Sequence, residues 1–412
     1  MSDKQTVAVD LTPLTKNAGI GGARMLAVEL IGHFGGDKSA FEYLLLTSED
    51  SHDELSVLDA PNVRRVCIIG ASSDTPLAKT QQYLHRMISF VFPRKIQQQI
   101  KKIYRKAFPF SAKGVSLSEL GVDLLFCPFT GPLFHTSGIP TISVVLDLQF
   151  LKFPENFSKN SLVYLNEHYQ EACEFSDRLI TISEFVKHTI LENSTRGEDD
   201  ISVIYAGIHN RLNTQVTEMP QMGKSAGLVE NEYLFFPAKY WPHKNHRNAL
   251  QGFKLFLAGH SQLKKLVFSG ISPQAKDDLQ ALVNKFGLEE KVVIFGWEEE
   301  DTLAALYKFC WAVFFPSMYE GFGIPVIEGF SFEKPVLCSN VTSLPEVGGD
   351  AALYFDPTDI EDIARVISDL ADHPEISAAL VEKGRAQLSR FSNSQGVALQ
   401  YETVFKEVLG GT

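Results

Sequence analysis

Short apolar segments alternate with longer amphipathic helical patterns along the 412-residue chain, and this alternation restricts the possible folds most strongly. The predicted strands lie at 7–11, 43–47, 63–69, 124–127, 142–146, 179–182, 233–237, 266–269, 292–295, 312–316 and 335–338. Apolar strands separated by helices are typical of parallel sheets that are covered on both faces. About eleven strands exceed what one ordinary doubly wound domain holds. We therefore predict an α/β fold with two Rossmann-like domains.

A polar segment at 210–231 divides the two groups of strands. It contains Pro220, Gly223 and Gly227 and shows no regular hydrophobic period, which is typical of a connection between domains. The prediction is a first domain at 1–209, a linker at 210–231 and a second domain at 232–390.

Composition argues against several classes of protein. The formal net charge of −12 opposes non-specific binding to nucleic acid. No apolar run approaches the roughly 20 residues of a membrane-spanning helix, and the N-terminus lacks the pattern of a signal peptide. The five cysteines are scattered, which favours a reducing compartment. These features predict a cytoplasmic protein that does not bind nucleic acid.

The segment 75–118 departs from this acidic average, because it contains nine lysines or arginines and no acidic residue. Ile96, Ile100 and Ile103 fall on one face of a predicted helix, and the lysines lie mostly elsewhere on it. Such a helix either packs on its own domain with solvated lysines, or lies on an anionic membrane or beside a lipid-linked substrate. The second alternative predicts a peripheral protein of the inner membrane face.

The most informative segment runs from Phe314 to Glu328 and has the sequence FFPSMYEGFGIPVIE. A buried strand is followed by a glycine-rich turn, and Pro325 then falls in the first turn of a helix, where its missing N–H costs nothing. A turn and a helix N-terminus of this kind present free backbone N–H groups and the positive end of the helix dipole to an anion. Ligands of open parallel sheets bind at this carboxyl edge. The segment therefore predicts a phosphate site.

Two glutamates flank the predicted phosphate site, with Glu320 in the turn and Glu328 one turn into the helix. Carboxylates repel phosphate but accept hydrogen bonds from hydroxyl groups. The pair therefore predicts a ligand with both phosphates and vicinal hydroxyls, such as a nucleoside diphosphate sugar. In the alternative interpretation Glu320 caps the turn and Glu328 is a solvated helix residue.

Two lysines provide a second source of positive charge. Lys239 and Lys244 follow a predicted strand and are placed to neutralise a departing diphosphate without a metal ion. The chain contains no D-x-D motif, and His243 and His246 lack acidic partners at metal-ligand spacing. We expect no metal site.

These residues resemble the retaining glycosyltransferases of family 4. The E-x7-E element of that family is similar to the segment from Glu320 to Glu328, and further similar segments lie at 18–23, 145–158, 179–185, 238–245 and 335–357. The resemblance implies the GT-B fold, with an N-terminal acceptor domain, a C-terminal donor domain and a last helix at 391–412 that crosses back to the first domain. It also implies transfer with retention of anomeric configuration and no metal or other cofactor.

The resemblance implies a role for each matching residue. Glu328 would accept hydrogen bonds from the ribose of the nucleotide, and Glu320 would contact the donor hexose. The other implied contacts are a diphosphate clamp of Lys239 and Lys244, a backbone cradle of Gly321, Phe322, Gly323 and Ile324, an approach of Gly21 or Gly22 to the phosphates, and a place for Asp147 in the cleft.

The implied partners are a UDP-, GDP- or dTDP-sugar and a glycan or lipid-linked acceptor of cell-surface polysaccharide or lipopolysaccharide. The chain departs from the family pattern at Leu146, where histidine is usual, at Lys239, where arginine is frequent, and at Ala206 and Glu333. These departures keep open a catalytically weakened, sugar-nucleotide-binding paralogue. A phosphorylase or epimerase of the same architecture is a further alternative. A nicotinamide dehydrogenase is weaker, because no G-x-G-x-x-G follows the first strand.

Overall fold

The computed structural model describes residues 4–14, 21–36, 39–69, 116–207, 211–260 and 264–410. Apart from its last three residues, the basic segment 75–118 lies outside these ranges, and both interpretations of it remain predictions. None of the helices within the described ranges is long and apolar enough to cross a membrane.

The described part of the first half contains seven strands and five α-helices. The strands are β1 (Gln5–Asp10), β2 (Phe41–Ser48), β3 (Val63–Ile69), β4 (Leu124–Cys127), β5 (Thr141–Val145), β6 (Arg178–Thr181) and β7 (Ile201–Val203). The helices are α1 (Gly22–Gly32), α2 (Glu49–His52), α3 (Gln149–Lys152), α4 (Lys159–Phe175) and α5 (Glu184–Asn193).

The described part of the second half contains six strands and nine α-helices. The strands are β8 (Tyr233–Pro237), β9 (Lys265–Ser269), β10 (Val292–Ile294), β11 (Ala312–Phe315), β12 (Val336–Ser339) and β13 (Ala352–Phe355). The helices are α6 (Gln221–Ser225), α7 (His246–Gly259), α8 (Pro273–Phe286), α9 (Glu300–Phe309), α10 (Ile324–Ser331), α11 (Leu344–Gly348), α12 (Ile360–Asp372), α13 (Pro374–Leu388) and α14 (Ser394–Val408).

The strands form two separate parallel sheets. Their orders are β3-β2-β1-β4-β5-β6-β7 and β10-β9-β8-β11-β12-β13. In the register of the first sheet, Val7 pairs with Tyr43 on one side and with Leu124 on the other. The strand order reverses between β1 and β4 in the first sheet and between β8 and β11 in the second. Such a switch point opens a crevice at the carboxyl edge of the sheet. The predicted fold class, two Rossmann-like α/β domains, is confirmed.

The strands at 63–69, 124–127 and 233–237 have the predicted bounds, and the other predicted strands differ by one or two residues at an end. The expected count of eleven was too low, because β7 and β13 were not predicted. Both are edge strands of three or four residues, which are too short for a period of two to stand out. The segment predicted as a linker contains the short helix α6.

The last helix, α14, packs on the first sheet although it follows the second in sequence. Phe405 makes aromatic contacts with Phe34, Phe41 and Phe126. The buried carboxylate of Glu402 accepts a hydrogen bond of 2.7 Å from the Tyr43 hydroxyl. These contacts tie the two halves of the chain together.

A buried carboxyl group ends β1 and makes stability depend on pH. Burial raises the pKa of Asp10 to about 6, although hydrogen bonds from Thr12 act in the opposite direction. The unfolded carboxyl ionises near pH 4. The folded state therefore binds more protons between pH 4 and 6, and the free energy of unfolding falls as pH rises through this window.

We expect Asp10→Asn to stabilise the protein at pH 7.5 by up to about 3 kcal/mol and to change little at pH 4, because the amide keeps the Thr12 contacts without a buried charge. Urea unfolding at the two pH values measures this difference. Asp59→Asn is the control, since its hydrogen bond from Arg65 lowers the pKa of Asp59. An equal effect of Asp10→Asn at both pH values would contradict the raised pKa of Asp10.

Candidate functional site

A cavity of about 450 Å³ lies between the carboxyl edges of the two sheets. The structure brings all of the sequence-predicted site residues to its walls: Gly21, Gly22, Asp147, Lys239, Lys244, Glu320, Gly321, Phe322, Gly323, Ile324 and Glu328. The first domain contributes three of them and the second contributes eight, so the cavity is a cleft shared by both domains.

The turn before α10 is fixed through its carbonyl groups. The Ser183 hydroxyl donates to the Gly321 carbonyl at 2.6 Å, and the Ser343 hydroxyl lies 3.0 Å and 2.8 Å from the carbonyls of Glu320 and Phe322. Gly323 adopts a left-handed conformation with φ of +112°, which an L side chain rarely takes.

The backbone amides of the same turn lack acceptors in the described part of the chain. Within the described ranges, the N–H groups of Gly321, Phe322, Gly323 and Ile324 donate to no protein oxygen. All four residues line the cavity, and α10 begins at Ile324 with Pro325 in its first turn, as predicted. We call these four residues the amide cradle. Unpaired N–H groups beside the positive end of a helix dipole favour an anion.

Two ammonium groups lie on the cavity wall together with the amide cradle. Lys244 forms an ion pair with Glu320, with Nζ 2.5 Å from Oε1, and both side chains are mostly buried. Lys239 Nζ lies 5.4 Å and 5.9 Å from the ring centres of Trp241 and Trp297, whose indoles are half-exposed. Burial and the neighbouring Lys244 charge lower the pKa of Lys239. This wall therefore attracts an anion, and the Glu320 carboxylate fixes the position of Lys244.

The second glutamate is part of a buried network. Glu328 is 2% exposed, and its Oε1 lies 2.6 Å from Nη2 of Arg211. The Tyr307 hydroxyl donates to its Oε2 at 2.6 Å. The alternative that Glu328 is a solvated helix residue is therefore wrong. The alternative that Glu320 caps the turn is also wrong, because its carboxylate is bound to Lys244.

The first domain forms the facing wall. Asp147 follows β5 and accepts a hydrogen bond of 3.0 Å from the backbone N–H of Gln149. The Asp147 side chain is exposed to the cleft, where the surrounding protein walls raise its pKa and the nearby charge of Glu320 acts in the same direction. Gly22 begins α1, and nothing lies within 4 Å of where its Cβ would be, so a ligand can approach this backbone closely.

The two domains meet directly at the turn that carries the amide cradle. A Cβ atom on Gly321 would lie 2.1 Å from the carbonyl oxygen of Leu146. Next to this contact, the Glu346 carboxylate accepts hydrogen bonds of 2.7 Å and 3.0 Å from the N–H groups of Glu184 and Phe185 at the start of α5. The cleft is therefore held at its present width by backbone contact.

We expect Gly321→Ala to separate the domains and to reduce the free energy of unfolding by about 1–3 kcal/mol, because the added methyl group meets backbone that cannot rotate away. Urea unfolding measures the loss. Gly259→Ala is the matched control, since its Cβ would meet nothing within 4 Å and alanine favours the helix. Equal stability of the two variants would contradict the close approach.

The two histidines of the lysine segment are buried aromatic packing residues. Burial lowers the pKa of His243 to about 4 and that of His246 to about 3, so both are neutral near pH 7. His246 stacks on Phe236 with 4.5 Å between ring centres. Among the described residues, no group of three or more His, Cys, Asp or Glu side chains could hold a metal ion. Metal independence remains a prediction.

Sequence reasoning missed several cavity residues. Arg211 belongs to the segment predicted as a linker, where no motif or period distinguished it. Gln149 and Trp297 line the cavity from short segments after β5 and β10. Their only sequence clue was their place after a predicted strand, since parallel strands end at the ligand edge.

The architecture is that of the GT-B glycosyltransferases: two Rossmann-like domains with parallel sheets face a common cleft. Residues 221–387 match the family of glycosyl transferases group 1. This segment of the second half is thus similar to a group 1 glycosyl transferase domain.

The chain is also similar to particular proteins. It is 30% identical over 250 residues to the O-antigen chain mannosyltransferase B of Escherichia coli, which covers 60% of this chain and 65% of that protein. It is 28% identical over 223 residues to the serotype-specific mannosyltransferase WbdA of the same species, covering 53% of this chain and 27% of that protein. The chain therefore spans less than two thirds of the length of either.

Among solved structures, Anabaena HepE in complex with UDP-glucose superposes with a TM-score of 0.71 at 15% identity, covering 98% of this chain and 99% of that one. This likeness extends over both domains and establishes the fold.

Proposed function

We propose that the protein is a retaining, metal-independent glycosyltransferase of the family 4 type. It moves a hexosyl unit from a nucleoside diphosphate sugar to a glycan or lipid-linked glycan acceptor during cell-surface polysaccharide assembly. The names of its mannosyltransferase relatives favour mannose as the transferred sugar and O-antigen as the product class.

One observation carries this proposal. The N–H groups of the amide cradle have no acceptor among the described residues, the cradle lines one cavity with two lysines, and a glutamate stands at each end of the segment. Amides and ammonium groups suit a diphosphate, whereas carboxylates suit the hydroxyl groups of the two sugars that flank it. A nucleoside diphosphate sugar has this order of groups. Glu328 Oε1 already accepts from Nε and Nη2 of Arg211, and Oε2 accepts from the Tyr307 hydroxyl, so a ribose contact would use the remaining lone pair of Oε2.

Catalysis in this proposal is mainly electrostatic. As the bond from the anomeric carbon to the diphosphate breaks, negative charge grows on the leaving oxygen and the sugar becomes oxocarbenium-like. The amide cradle and the two lysines line the cavity in which that charge would develop, and they would stabilise it as preorganised donors. The acceptor hydroxyl attacks from the side of the departing phosphate, which takes its proton, and the anomeric configuration is retained.

The second candidate is a sugar-nucleotide-binding paralogue with little catalytic activity. Leu146 favours it, because this cavity residue offers no hydrogen bond to the sugar. Binding of a sugar nucleotide without transfer to any acceptor would support this candidate.

A thermal-shift screen with UDP, GDP, ADP and dTDP, followed by transfer assays with UDP-glucose, GDP-mannose and dTDP-rhamnose, tests the proposal. A ligand of the folded state raises its stability by mass action. We expect one nucleotide to raise the melting temperature more than the others do. Transfer from the corresponding sugar nucleotide should persist in excess EDTA, and the product should keep the anomeric configuration of the donor. No stabilisation by any nucleoside diphosphate would contradict the proposal.

The acceptor side of the proposal includes the basic segment 75–118. If this segment meets an anionic membrane, the protein should sediment with vesicles that contain phosphatidylglycerol, and the bound fraction should fall as salt screens the attraction. Neutral vesicles are the control. Absence of sedimentation at low salt would remove the peripheral-membrane prediction and leave the glycosyltransferase proposal intact.

A further inference from the structure

A glutamine with an unpaired side-chain amide lines the cleft from the first domain. Gln149 is the first residue of α3, lines the cavity and is 7% exposed. Its backbone N–H is bonded to Asp147, but its side-chain Nε2 is buried and has no hydrogen-bond partner in the part of the chain that the structure describes. A buried amide that makes no hydrogen bond destabilises the folded state, so its presence requires an explanation.

The position of this group distinguishes it from other unpaired atoms. Within the described ranges, buried side-chain atoms without partners also occur in Asp10, Tyr169, His246, Ser317, Tyr319 and Ser339. Of all these residues only Gln149 lines the cavity. The neighbouring Leu146 lines the same wall without a polar atom, so Gln149 is the neutral hydrogen-bonding side chain of this segment.

We propose that Gln149 is a substrate-contacting residue whose side-chain amide donates a hydrogen bond to a sugar hydroxyl in the cleft. This inference rests on the proposed function and adds a contact from the first domain. The expected partner is the transferred hexose, because Gly321 of the amide cradle lies against Leu146 and Asp147, only two or three residues before Gln149. An acceptor hydroxyl offers the same chemistry and is the alternative that the experiment separates.

The test uses Gln149→Met, which keeps the side-chain volume but loses the hydrogen bond. We expect an equal or higher melting temperature, because an unpaired polar group is removed. We also expect kcat/KM for transfer to fall about tenfold or more, while the Kd of the nucleoside diphosphate alone stays within about twofold. Gln149→Asn keeps the amide group on a shorter side chain and should lose activity to a similar extent. It replaces Gln149→Met in the test if the methionine variant does not fold.

Gln387→Met is the matched control. Gln387 is similarly buried, but its Nε2 donates to the Val347 carbonyl at 2.9 Å, and neither residue lines the cavity. This variant should lower the melting temperature and leave kcat/KM unchanged. The opposite responses of two buried glutamines separate a substrate contact from a structural one.

Binding measurements distinguish the two sources of the hydroxyl. The comparison uses the sugar nucleotide selected by the screen, for example GDP-mannose, and its nucleoside diphosphate. If the donor hexose is the partner, the wild type binds the sugar nucleotide more tightly than the diphosphate, and Gln149→Met loses that preference. If the acceptor is the partner, only the acceptor KM rises. Unchanged transfer and binding in Gln149→Met, or a lowered melting temperature with normal activity, would contradict the role of Gln149 and leave the proposed function intact. Failure of the wild type to bind any sugar nucleotide would overturn the proposed function as well.

Discussion

Replacing Lys244 with alanine should lower kcat at least 100-fold while the protein stays folded. Lys244 lies on the cavity wall beside the amide cradle, held by its ion pair with Glu320. Removal of a single preorganised donor to a developing anion raises the barrier by about 2.7–4 kcal/mol, which corresponds to 10²–10³ in turnover. Steady-state transfer at saturating donor measures the loss.

Two further variants test whether the loss of turnover in Lys244→Ala comes from Lys244 itself. Lys276→Ala removes an exposed lysine of α8 and should leave kcat unchanged. Lys244→Ala combined with Glu320→Gln removes the ion pair without leaving an uncompensated carboxylate beside the diphosphate. We expect the double variant to remain at least 100-fold impaired. Near-normal turnover of the double variant would mean that Lys244 only neutralises Glu320, and the diphosphate clamp would be wrong.

The second large effect concerns stability. Glu328→Ala should reduce the free energy of unfolding by about 3–5 kcal/mol, because it leaves the largely buried Arg211 guanidinium without its buried partner and the Tyr307 hydroxyl without its acceptor. Urea unfolding followed by tryptophan fluorescence measures the change. The loss is expected in the absence of any substrate.

The same arginine provides the control for this prediction. Glu300 also pairs with Arg211, at 3.5 Å, but its side chain is 70% exposed, so Glu300→Ala should cost less than about 1 kcal/mol. Replacing Arg211 and Glu328 together by methionine should recover most of the stability, since a buried ion pair can be replaced by apolar groups at little cost. Equal effects of Glu300→Ala and Glu328→Ala would contradict the buried network.

The sequence predicted those parts of the fold that depend on local pattern. The apolar runs of β4, β8 and β11 were recognisable because both faces of a parallel strand are buried. Pro325 and the glycine turn placed the start of α10, since proline is tolerated in the first turn of a helix. The short edge strands β7 and β13 lacked enough residues to show any period.

The candidate site was predictable only where the chemistry lies in one continuous segment. Glu320, the amide cradle and Glu328 are contiguous, so their spacing was informative. Arg211 reaches Glu328 across more than a hundred residues of sequence, and its neighbours carry no pattern. The unpaired state of Gln149 depends on what packs around its side chain in three dimensions. No local pattern in the sequence encodes that packing.

A crystal structure of the protein with an intact sugar nucleotide, chosen by the thermal-shift screen, tests the account most directly. We predict that oxygens of the bound diphosphate lie 2.7–3.1 Å from at least two backbone nitrogens of the amide cradle, with an ammonium group of Lys239 or Lys244 within hydrogen-bond distance. A diphosphate bound elsewhere on the protein, with the four cradle nitrogens still unpaired, would contradict the central claim.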